Sequence, residues 1–354
     1  MVSISEAEKI ALDYYGIKAK ANALPGYDDE NFKLISSSNA LFILKISKHE
    51  ANKKHLHFQN DILTHVSSKK LSCQSPNVLQ NLSKGLYQGI TLANKEKRDV
   101  RILSWVEGRL WAHINPKTTY LRFNLGKKAG EITTALKDFK KEAPKRCSNW
   151  DLADALWTMK HLDLFSQEEK TTLSYFQKRF TELELTYRGL PKSVIHGDLN
   201  DYNVIVSDEL KTPKIIGFID FGDAVYSQTI NDLAILLAYA IMDTQDPLSA
   251  ALDVIKGYAK SCQVSEAEME CLYTLVAMRL ITTVTSSALK KIEDPGNTYH
   301  LISEKPAWTL LHKWFAVNEE FARYCFRSAC GFMAHPSQEA FNSWTASIHL
   351  NFSD

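Results

Sequence analysis

The sequence predicts an α+β protein of two lobes, a small mixed lobe followed by a larger, mainly helical lobe. Four short strand-like segments lie at residues 31–36, 40–46, 85–92 and 99–105, and a helical segment at 49–67 interrupts them. From Pro116 on, apolar residues recur at helical spacing over most of the chain. A chain of 354 residues with 45% hydrophobic content can bury a substantial core and suits two lobes.

The first lobe opens with an amphipathic helix at residues 5–16. Its apolar residues recur at helical spacing, and Gly16 ends it. We expect the first lobe to span residues 1–103 and a hinge to follow at residues 104–108. The second lobe, residues 109–354, should contain a two-strand hairpin and helices at residues 118–138, 151–159, 167–187, 229–243, 247–261, 266–290 and 304–329.

The composition argues against several classes of function. The formal charge is +1, and Lys and Arg are spread along the chain, so there is no electrostatic case for nucleic acid. The six cysteines show no CxxC or zinc-ligand spacing, which favours reduced thiols. The first residues are polar, and no apolar run approaches the roughly 18 residues of a membrane span. We therefore expect a cytoplasmic protein that binds neither nucleic acid nor membrane.

Residues 194–206 and 217–223 carry the pattern that is most informative about function. The first segment contains His-Gly-Asp-Leu-Asn-Asp-Tyr-Asn, and the second contains Ile-Asp-Phe-Gly. Asp198 and Asn203 are separated by four residues, as in the catalytic loop of protein kinases. Turn preference also enriches Asn, Asp and Gly in hairpins. It rarely produces both segments in this order between two apolar strands.

Magnesium-dependent phosphoryl transfer explains why these residue types occur together. The reaction depends on positioning and charge neutralisation more than on covalent work by the protein. A carboxylate must orient the acceptor hydroxyl and accept its proton, and we assign this catalytic role to Asp198. Asn203 and Asp220 supply the hard oxygen ligands that Mg²⁺ prefers. His196, also in the catalytic loop, is expected to brace the loop through hydrogen bonds rather than to act as an acid or base.

With these motifs the chain resembles the aminoglycoside phosphotransferase/choline kinase superfamily, which has a kinase-like fold. The resemblance runs from about residue 20 to about residue 335. It includes Phe42-Ile-Leu-Lys-Ile, Val100-Arg-Ile-Leu-Ser-Trp-Val-Glu-Gly and Asp294-Pro-Gly-Asn-Thr-Tyr. It is closest to the hydroxylysine kinase-like and homoserine kinase-like branch, which is also found fused to class III aminotransferases. The resemblance implies Mg²⁺ as cofactor and ATP, or GTP, as phosphoryl donor.

The resemblance implies a nucleotide site in the first lobe. Lys45 matches the lysine that contacts the α- and β-phosphates. Gln59 stands where related phosphotransferases carry the Glu that pairs with this lysine. The turn that contains Tyr27 and Asp28 is expected to fold over the phosphates, although it lacks a G-x-G-x-x-G pattern. The hinge edge is expected to receive the purine through backbone groups, at Leu103, Ser104 and Trp105.

The resemblance also implies a small acceptor, an amino alcohol or a hydroxy amino acid. A carboxylate on the acceptor needs a cation, and Arg279 is the candidate, unless it pairs with an internal Asp or Glu. Asp232 is expected to hydrogen-bond the catalytic loop and to support it. An amine needs carboxylates or aromatic faces. The candidates for this part of the site are Asp201, Asp223, Tyr226 and Trp105, with Asn297 and Tyr299 in the same pocket.

The sequence leaves three functions open. The first is an enzyme that phosphorylates a hydroxyl of a small amine or hydroxy amino acid, in metabolism or as an aminoglycoside-modifying kinase. The second is a kinase-like protein that binds nucleotide without turnover, which Gln59 and the glycine-poor turn would allow. The third is a protein kinase. It is disfavoured because no A-P-E segment or activation loop follows Asp-Phe-Gly.

Overall fold

The computed structural model describes residues 2–26, 29–47, 53–92, 95–144, 148–294, 303–335 and 337–347. The first part of the chain forms two helices, α1 (Ile4–Tyr15) and α2 (Lys53–Ser68), and a five-stranded antiparallel sheet. The strands are β1 (Ala19–Leu24), β2 (Asp29–Ser36), β3 (Leu41–Ser47), β4 (Gln88–Thr91) and β5 (Lys97–Ser104). Their spatial order is β1-β2-β3-β5-β4.

Side chains alternate between the two faces of this sheet, as the period of a β-strand requires. Leu44 of β3 pairs with Ile102 of β5, and both are buried in the core that the sheet forms with α1. The next pair in the register is Lys45 and Arg101, so these two side chains share the opposite face. The alternation therefore places two cations on the face that turns away from α1.

The rest of the chain is mainly helical. Its five short strands form two small antiparallel sheets and are β6 (Arg109–Leu110), β7 (Lys192–Ile195), β8 (Val204–Val206), β9 (Ile215–Phe218) and β10 (Val225–Gln228). A 3₁₀ segment spans Leu152–Leu164. The helices are α3 (Thr119–Lys137), α4 (Gln167–Glu182), α5 (Glu184–Arg188), α6 (Ile230–Ala240), α7 (Pro247–Ala259), α8 (Glu266–Glu293), α9 (Glu304–Phe315), α10 (Glu319–Ala329) and α11 (Gln338–Ser347).

Helix α8 is the long buried helix of this part of the chain. It begins with a capping box in which Ser265 and Glu268 satisfy each other's backbone N–H groups. By length and composition alone it could cross a membrane, contrary to the expectation that no segment would qualify. However, 83% of its apolar window is buried inside the fold, as in the core helix of a soluble domain.

Most of the predicted elements are confirmed, and the differences have local causes. Strand β1 was not predicted because its sequence, Ala-Lys-Ala-Asn-Ala-Leu, is poor in β-branched and aromatic residues. The helix predicted at 304–329 is two helices, because Asn318 caps α10 by accepting a hydrogen bond from the Phe321 N–H. The predicted hairpin is formed by β8 and β9, whereas β7 pairs with β10.

Helix α2 belongs to the larger of the two hydrophobic cores. Phe58, Ile62, Leu63 and Val66 lie on its apolar face and pack in the same cluster as residues of α3, α6 and α8. The smaller core lies between α1 and the sheet. A division into lobes at residues 103 and 109 therefore stays a prediction, since the larger core includes Phe58 of the first part of the chain.

Candidate active site

A cavity of about 860 Å³ lies between the sheet face that carries Lys45 and the helical part of the chain. One side is formed by the turn at residues 25–26 and by β2, β3, β5 and α2, and the other by the loop after β7, the turn after β9 and α8. The predicted site residues that line it are Lys45, Gln59, Asp198, Asp201, Asn203, Asp220, Asp223 and Arg279. Segments more than 200 residues apart in sequence thus meet at one cavity.

The Asp198 carboxylate is held at both oxygens. Its Oδ1 accepts a hydrogen bond of 2.7 Å from Nη2 of Arg279. Its Oδ2 accepts from the side-chain amides of Asn200 and Asn203, each at 2.8 Å. Burial raises the pKa of Asp198, and the charge of Arg279 opposes that rise. The three contacts leave one lone pair of Oδ1 for a further donor, because a carboxylate has about four acceptor positions.

His196 braces the loop, as predicted, and is fully buried. Its Nδ1 accepts a hydrogen bond of 3.3 Å from the Asp198 N–H, so Nε2 carries the proton and donates to the Ile219 carbonyl at 3.1 Å. Burial lowers the pKa of His196, which keeps the ring neutral. With both nitrogens engaged, the ring is occupied in fixing the positions of Asp198 and β9 relative to each other.

Asp232 lies in the first turn of α6, and its carboxylate contacts the backbone of the catalytic loop. Its two oxygens accept hydrogen bonds from the backbone N–H groups of His196 at 3.1 Å and of Gly197 at 3.0 Å. Gly197 has a φ of 79°, in the left-handed region that favours glycine. The predicted supporting contact is therefore present, and it fixes the turn on which Asp198 sits.

Asn203 and Asp220 offer oxygens that fit a hard divalent cation. The Asn203 amide directs its Nδ2 to the backbone carbonyl and to Oδ2 of Asp198, at 2.9 and 2.8 Å, which leaves its Oδ1 for a metal. Asp220 Oδ1 accepts from Lys45 and from the Gly222 N–H, and the charge of Lys45 lowers the pKa of Asp220. Within the described ranges no group of three or more His, Cys, Asp or Glu side chains could hold a metal. One carboxylate and one amide suit Mg²⁺, which completes its shell with phosphate oxygens and water.

Lys45 and Gln59 do not contact each other in the way that the resemblance suggested. The Lys45 ammonium lies 3.1 Å from Oδ1 of Asp220 and 3.9 Å from Oδ2 of Asp29. Gln59 instead accepts a hydrogen bond of 2.6 Å from Nη2 of Arg101, and its amide donates to the Gly222 carbonyl at 3.0 Å. The partners of Lys45 are thus two aspartates, and Gln59 joins α2 to Arg101 and to the turn that follows Asp220.

Two amide groups of the predicted purine-binding edge are engaged within the protein. The N–H of Ser104 donates to the Asn77 carbonyl, and the N–H of Trp105 donates to the Leu41 carbonyl. The Leu103 side chain is part of the larger core, and the Trp105 ring lies under the Lys33 ammonium at 4.5 Å. The protein itself uses these two amide donors, so a purine would have to use the carbonyl groups of this edge or the next amide.

The turn that was predicted to cover the phosphates is described only in part. Tyr27 and Asp28 lie outside the described residues, as do Asn297 and Tyr299 of the predicted acceptor pocket. Next to the turn, Asn31 approaches the Pro25 carbonyl at 3.5 Å. A Cβ on Gly26 would collide with the Asp29 carbonyl, so the turn requires glycine at this position.

Arg279 has an internal partner, which was one of the two alternatives for this residue. Besides the contact to Asp198, its Nη1 donates to the Trp150 carbonyl at 3.1 Å and its Nε to the Tyr239 hydroxyl at 3.3 Å. The guanidinium also lies over the Trp150 ring at 4.8 Å and the Tyr239 ring at 5.4 Å. This aromatic clamp holds the cation against Asp198.

The acceptor side of the cavity contains residues that the sequence did not single out. Thr283, Ser286, Ser287 and Lys290 of α8 line the cavity beyond Arg279, at the spacing of one helix face. Asp223 lines the opposite wall. The stripe could have been found from the recurrence of polar residues every three to four positions within an otherwise apolar helix.

The other candidates for binding an amine are placed less favourably. Asp201 lines the cavity, but its Oδ1 is buried without a hydrogen-bond partner among the described residues. Burial raises the pKa of Asp201 to about 6. Tyr226 is 57% exposed and is not among the described residues that line the cavity. Asp223 is therefore the better placed carboxylate for an amine.

Comparison with known proteins identifies the family of this chain. The sequence model of the phosphotransferase enzyme family, APH, matches residues 21–266, which is more than half of the chain. The chain belongs to this family. The matched region of this phosphotransferase includes β2 to β5 and most of β1, the catalytic loop, Asp220 and Asp232.

Two relatives and one solved structure place the phosphotransferase more closely. It is 25% identical over 349 residues to the hydroxylysine kinase of Xenopus laevis, covering 90% of this chain and 91% of that one. It is 26% identical over 271 residues to the homoserine kinase of Brucella anthropi, covering 73% and 76%. A microcompartment-associated aminopropanol kinase is 16% identical with a TM-score of 0.62, covering 93% of this chain and 99% of that one. The α+β kinase-like fold and the resemblance to this superfamily are thereby confirmed.

Proposed function

We propose that this phosphotransferase moves the γ-phosphoryl group of a nucleoside triphosphate to a hydroxyl of a small amine or hydroxy amino acid. The observation that supports it is the meeting of Asp198, Asn203, Asp220 and Lys45 at one cavity. A base, two oxygen ligands and a phosphate-binding cation are the parts that phosphoryl transfer requires. ATP is the default donor, and GTP is not distinguished from it.

Asp198 acts as the base in this proposal. Arg279, Asn200 and Asn203 hold its carboxylate in one orientation, so the remaining lone pair of Oδ1 has a defined direction. An acceptor hydroxyl that donates to this lone pair is oriented for attack and gives up its proton there. Preorganised groups of this kind lower the barrier because they need no rearrangement at the moment of reaction.

Asn203 and Asp220 would hold Mg²⁺, which supplies neutralisation of phosphate charge when it is bound. Lys45 contributes the same kind of stabilisation from the sheet. Its ammonium is buried and rests against Asp220, so it is fixed before the nucleotide arrives. His196 and Asp232 keep the base and the two oxygen ligands in register.

The acceptor side favours a molecule with both charges. Asp223 offers a carboxylate for an amine, and Lys290 offers a cation for a carboxylate at the far end of the α8 stripe. Arg279 is buried against Asp198, whereas Lys290 is partly exposed and pairs with the exposed Glu293, so we assign the acceptor carboxylate to Lys290 and give Arg279 a positioning role. Relatives that act on hydroxylysine and homoserine agree with a hydroxy amino acid as acceptor.

A coupled assay of ADP and GDP release in the presence of Mg²⁺ tests this function. The acceptors are hydroxylysine, homoserine, threonine, choline, ethanolamine and several aminoglycosides. Asp198→Ala is the inactive variant, and Asp208→Ala is the matched control because Asp208 is exposed and follows β8. Nucleotide binding is measured on both variants by calorimetry.

One acceptor that gives release in the wild type and in Asp208→Ala, but not in Asp198→Ala, supports the proposal and identifies the substrate. Loss of turnover by roughly 10²–10⁴-fold is expected for removal of a general base. Nucleotide binding without turnover on any acceptor in the panel would instead favour a nucleotide-binding protein. Release with aminoglycosides alone would point to an antibiotic-modifying kinase.

A further inference from the structure

Three polar residues form a row across the cleft face of the sheet. Asn31 of β2 pairs with Lys45 of β3, and Lys45 pairs with Arg101 of β5. All three line the cavity. Lys45 is 8% exposed and Arg101 is 6% exposed. Two nearly buried cations therefore lie side by side at the floor of the nucleotide cleft.

Arg101 differs from the other buried arginines in its partners. Arg279 pairs with Asp198, and Arg98 of the same strand pairs with Glu96. Among the described residues, the side-chain partners of Arg101 are both neutral amides, Oδ1 of Asn60 at 2.9 Å and Oε1 of Gln59 at 2.6 Å. A buried charge is costly unless a counter-charge compensates it. The site thus contains a fixed positive charge with no directly bound anion in this part of the protein.

The two carboxylates whose charges act on Arg101, Asp29 and Asp220, are paired with Lys45. Asp220 and Asp29 lie 3.1 and 3.9 Å from the Lys45 ammonium. Burial lowers the pKa of Arg101, and Asp29 and Asp220 offset only part of that effect. Arginine stays protonated in proteins nonetheless, so the energetic cost persists until an anion approaches.

The neutral side chain of Gln59 leaves the positive charge of Arg101 without a counter-charge at this contact. A Glu there would lie within ion-pair distance of Arg101 Nη2, where the Gln59 oxygen now lies at 2.6 Å. It would neutralise Arg101 rather than support Lys45. The departure from the family pattern at residue 59 therefore accompanies a second cation on the neighbouring strand.

We propose that Arg101 supplies a second positive charge for the phosphates of the donor nucleotide and that Gln59, being neutral, orients this charge without cancelling it. The inference rests on the proposed function in that it takes the anion to be a nucleoside triphosphate. Arg101 complements Lys45, which stands beside it in the sheet. The competing interpretation treats Gln59 as a weakened form of the usual Glu, and it predicts that Glu at this position improves the site.

The test is direct binding, without acceptor and without turnover. Calorimetry measures the Kd of a non-hydrolysable ATP analogue with Mg²⁺ and, separately, the Kd of adenosine, for wild type, Gln59→Glu, Arg101→Gln and the double variant. Arg98→Gln is the matched control, because Arg98 lies on β5 with an alternate side-chain direction and is 9% exposed. Thermal unfolding of each protein checks that it is folded.

We expect Arg101→Gln and Gln59→Glu each to weaken analogue binding roughly tenfold or more, the effect of losing one charge-assisted contact. Adenosine binding and the Arg98→Gln control should stay within about twofold of the respective wild-type values. In the double variant the two losses should add, because the introduced carboxylate then faces the phosphates with no guanidinium beside it.

Analogue binding by Arg101→Gln within about twofold of the wild type would overturn the inference, since the guanidinium would then add nothing to phosphate binding. Unchanged or tighter analogue binding by Gln59→Glu would overturn it as well. If Arg101→Gln does not fold, Arg101→Lys replaces it. Gln59→Glu must then still weaken analogue binding in the wild-type background. Failure of the wild type to bind the analogue at all would contradict the proposed function rather than this inference alone.

Discussion

Arg279 of α8 donates a 2.7 Å hydrogen bond to Oδ1 of Asp198, and the two side chains form an ion pair at the base of the acceptor pocket. The guanidinium is 2% exposed and lies between two aromatic rings. The proposed base therefore has a permanent cationic neighbour. This cation stabilises the deprotonated form that a base needs, and it opposes the burial that raises the pKa of Asp198.

Arg279→Gln should move the acidic limb of the pH profile of kcat/KM to higher pH. Without the cation, burial acts on Asp198 unopposed, so its pKa rises further and the carboxylate is protonated over a wider range of pH. Activity is then lost at low pH and recovers as the pH rises. Arg279→Lys keeps the charge and should shift the limb less. An equal loss of kcat/KM at every pH would contradict this role.

The same substitution should also cost stability. Removal of one partner of a buried ion pair costs about 3–5 kcal/mol of unfolding free energy, and Asp198 remains 19% exposed at its side chain, so we expect roughly 3 kcal/mol. Urea denaturation of the ligand-free protein measures it. A loss below about 1 kcal/mol would mean that the pair behaves like a surface salt bridge.

Asp232→Ala should destabilise the protein by leaving two buried N–H groups without an acceptor. The groups belong to His196 and Gly197, and each unsatisfied donor costs about 1–3 kcal/mol. Asp232→Asn should lose less, because it keeps one acceptor and places no charge in the buried environment that raises the pKa of Asp232. Asp246→Ala, which removes only an exposed N-cap of α7, is the control at about 1 kcal/mol. Equal losses for the Ala and Asn variants of Asp232 would be inconsistent with this account.

Lys290→Ala should raise the KM of an acceptor that carries a carboxylate by roughly tenfold, the effect of one charge-assisted contact. The kcat should change little, because Lys290 lies at the far end of the α8 stripe from Asp198. Lys291→Ala is the matched control, since Lys291 pairs with Glu304 as Lys290 pairs with Glu293, but Lys291 is not among the described lining residues. The same rise in KM for both variants would remove Lys290 from the acceptor site.

Removal of divalent metal with a chelator should abolish turnover, and Asp220→Asn should raise the Mg²⁺ concentration that gives half-maximal activity by roughly tenfold or more. The Asn variant keeps an oxygen but loses the negative charge that attracts the metal. Asp208→Asn serves as the control at an exposed site. A titration of Mg²⁺ at fixed nucleotide measures the shift, and an unchanged midpoint would exclude Asp220 as a ligand.

The sequence predicted the fold because burial leaves local signals, namely the apolar run of β3 and the helical spacing after Pro116. It singled out Asp198, Asn203 and Asp220 because they stand in two short motifs, at residues 194–206 and 217–223. The contact between Asp232 and the catalytic loop spans 36 residues, and it was expected from the resemblance to the family rather than from local spacing.

What the sequence could not predict depends on pairing between distant segments. The partner of Arg279 lies 81 residues away, and the partner of Gln59 lies 42 residues away on β5. Neither pairing has a spacing rule. The partners of the Ser104 and Trp105 amides, the carbonyls of Asn77 and Leu41, are also distant in sequence, and no local pattern links them to the hinge.

The packing of helix α2 in the larger core limits how the sheet can move during nucleotide exchange. Its apolar side chains, among them Phe58 and Ile62, are seated in the larger core, and exposing each would cost about 1.5–3 kcal/mol. A rotation that moved α2 together with the sheet would pull these side chains out of the larger core and would require this free energy. A motion of the sheet that left α2 in the larger core would avoid this cost, and the contact between Gln59 and Arg101 would then lie at the boundary between the moving and the fixed parts.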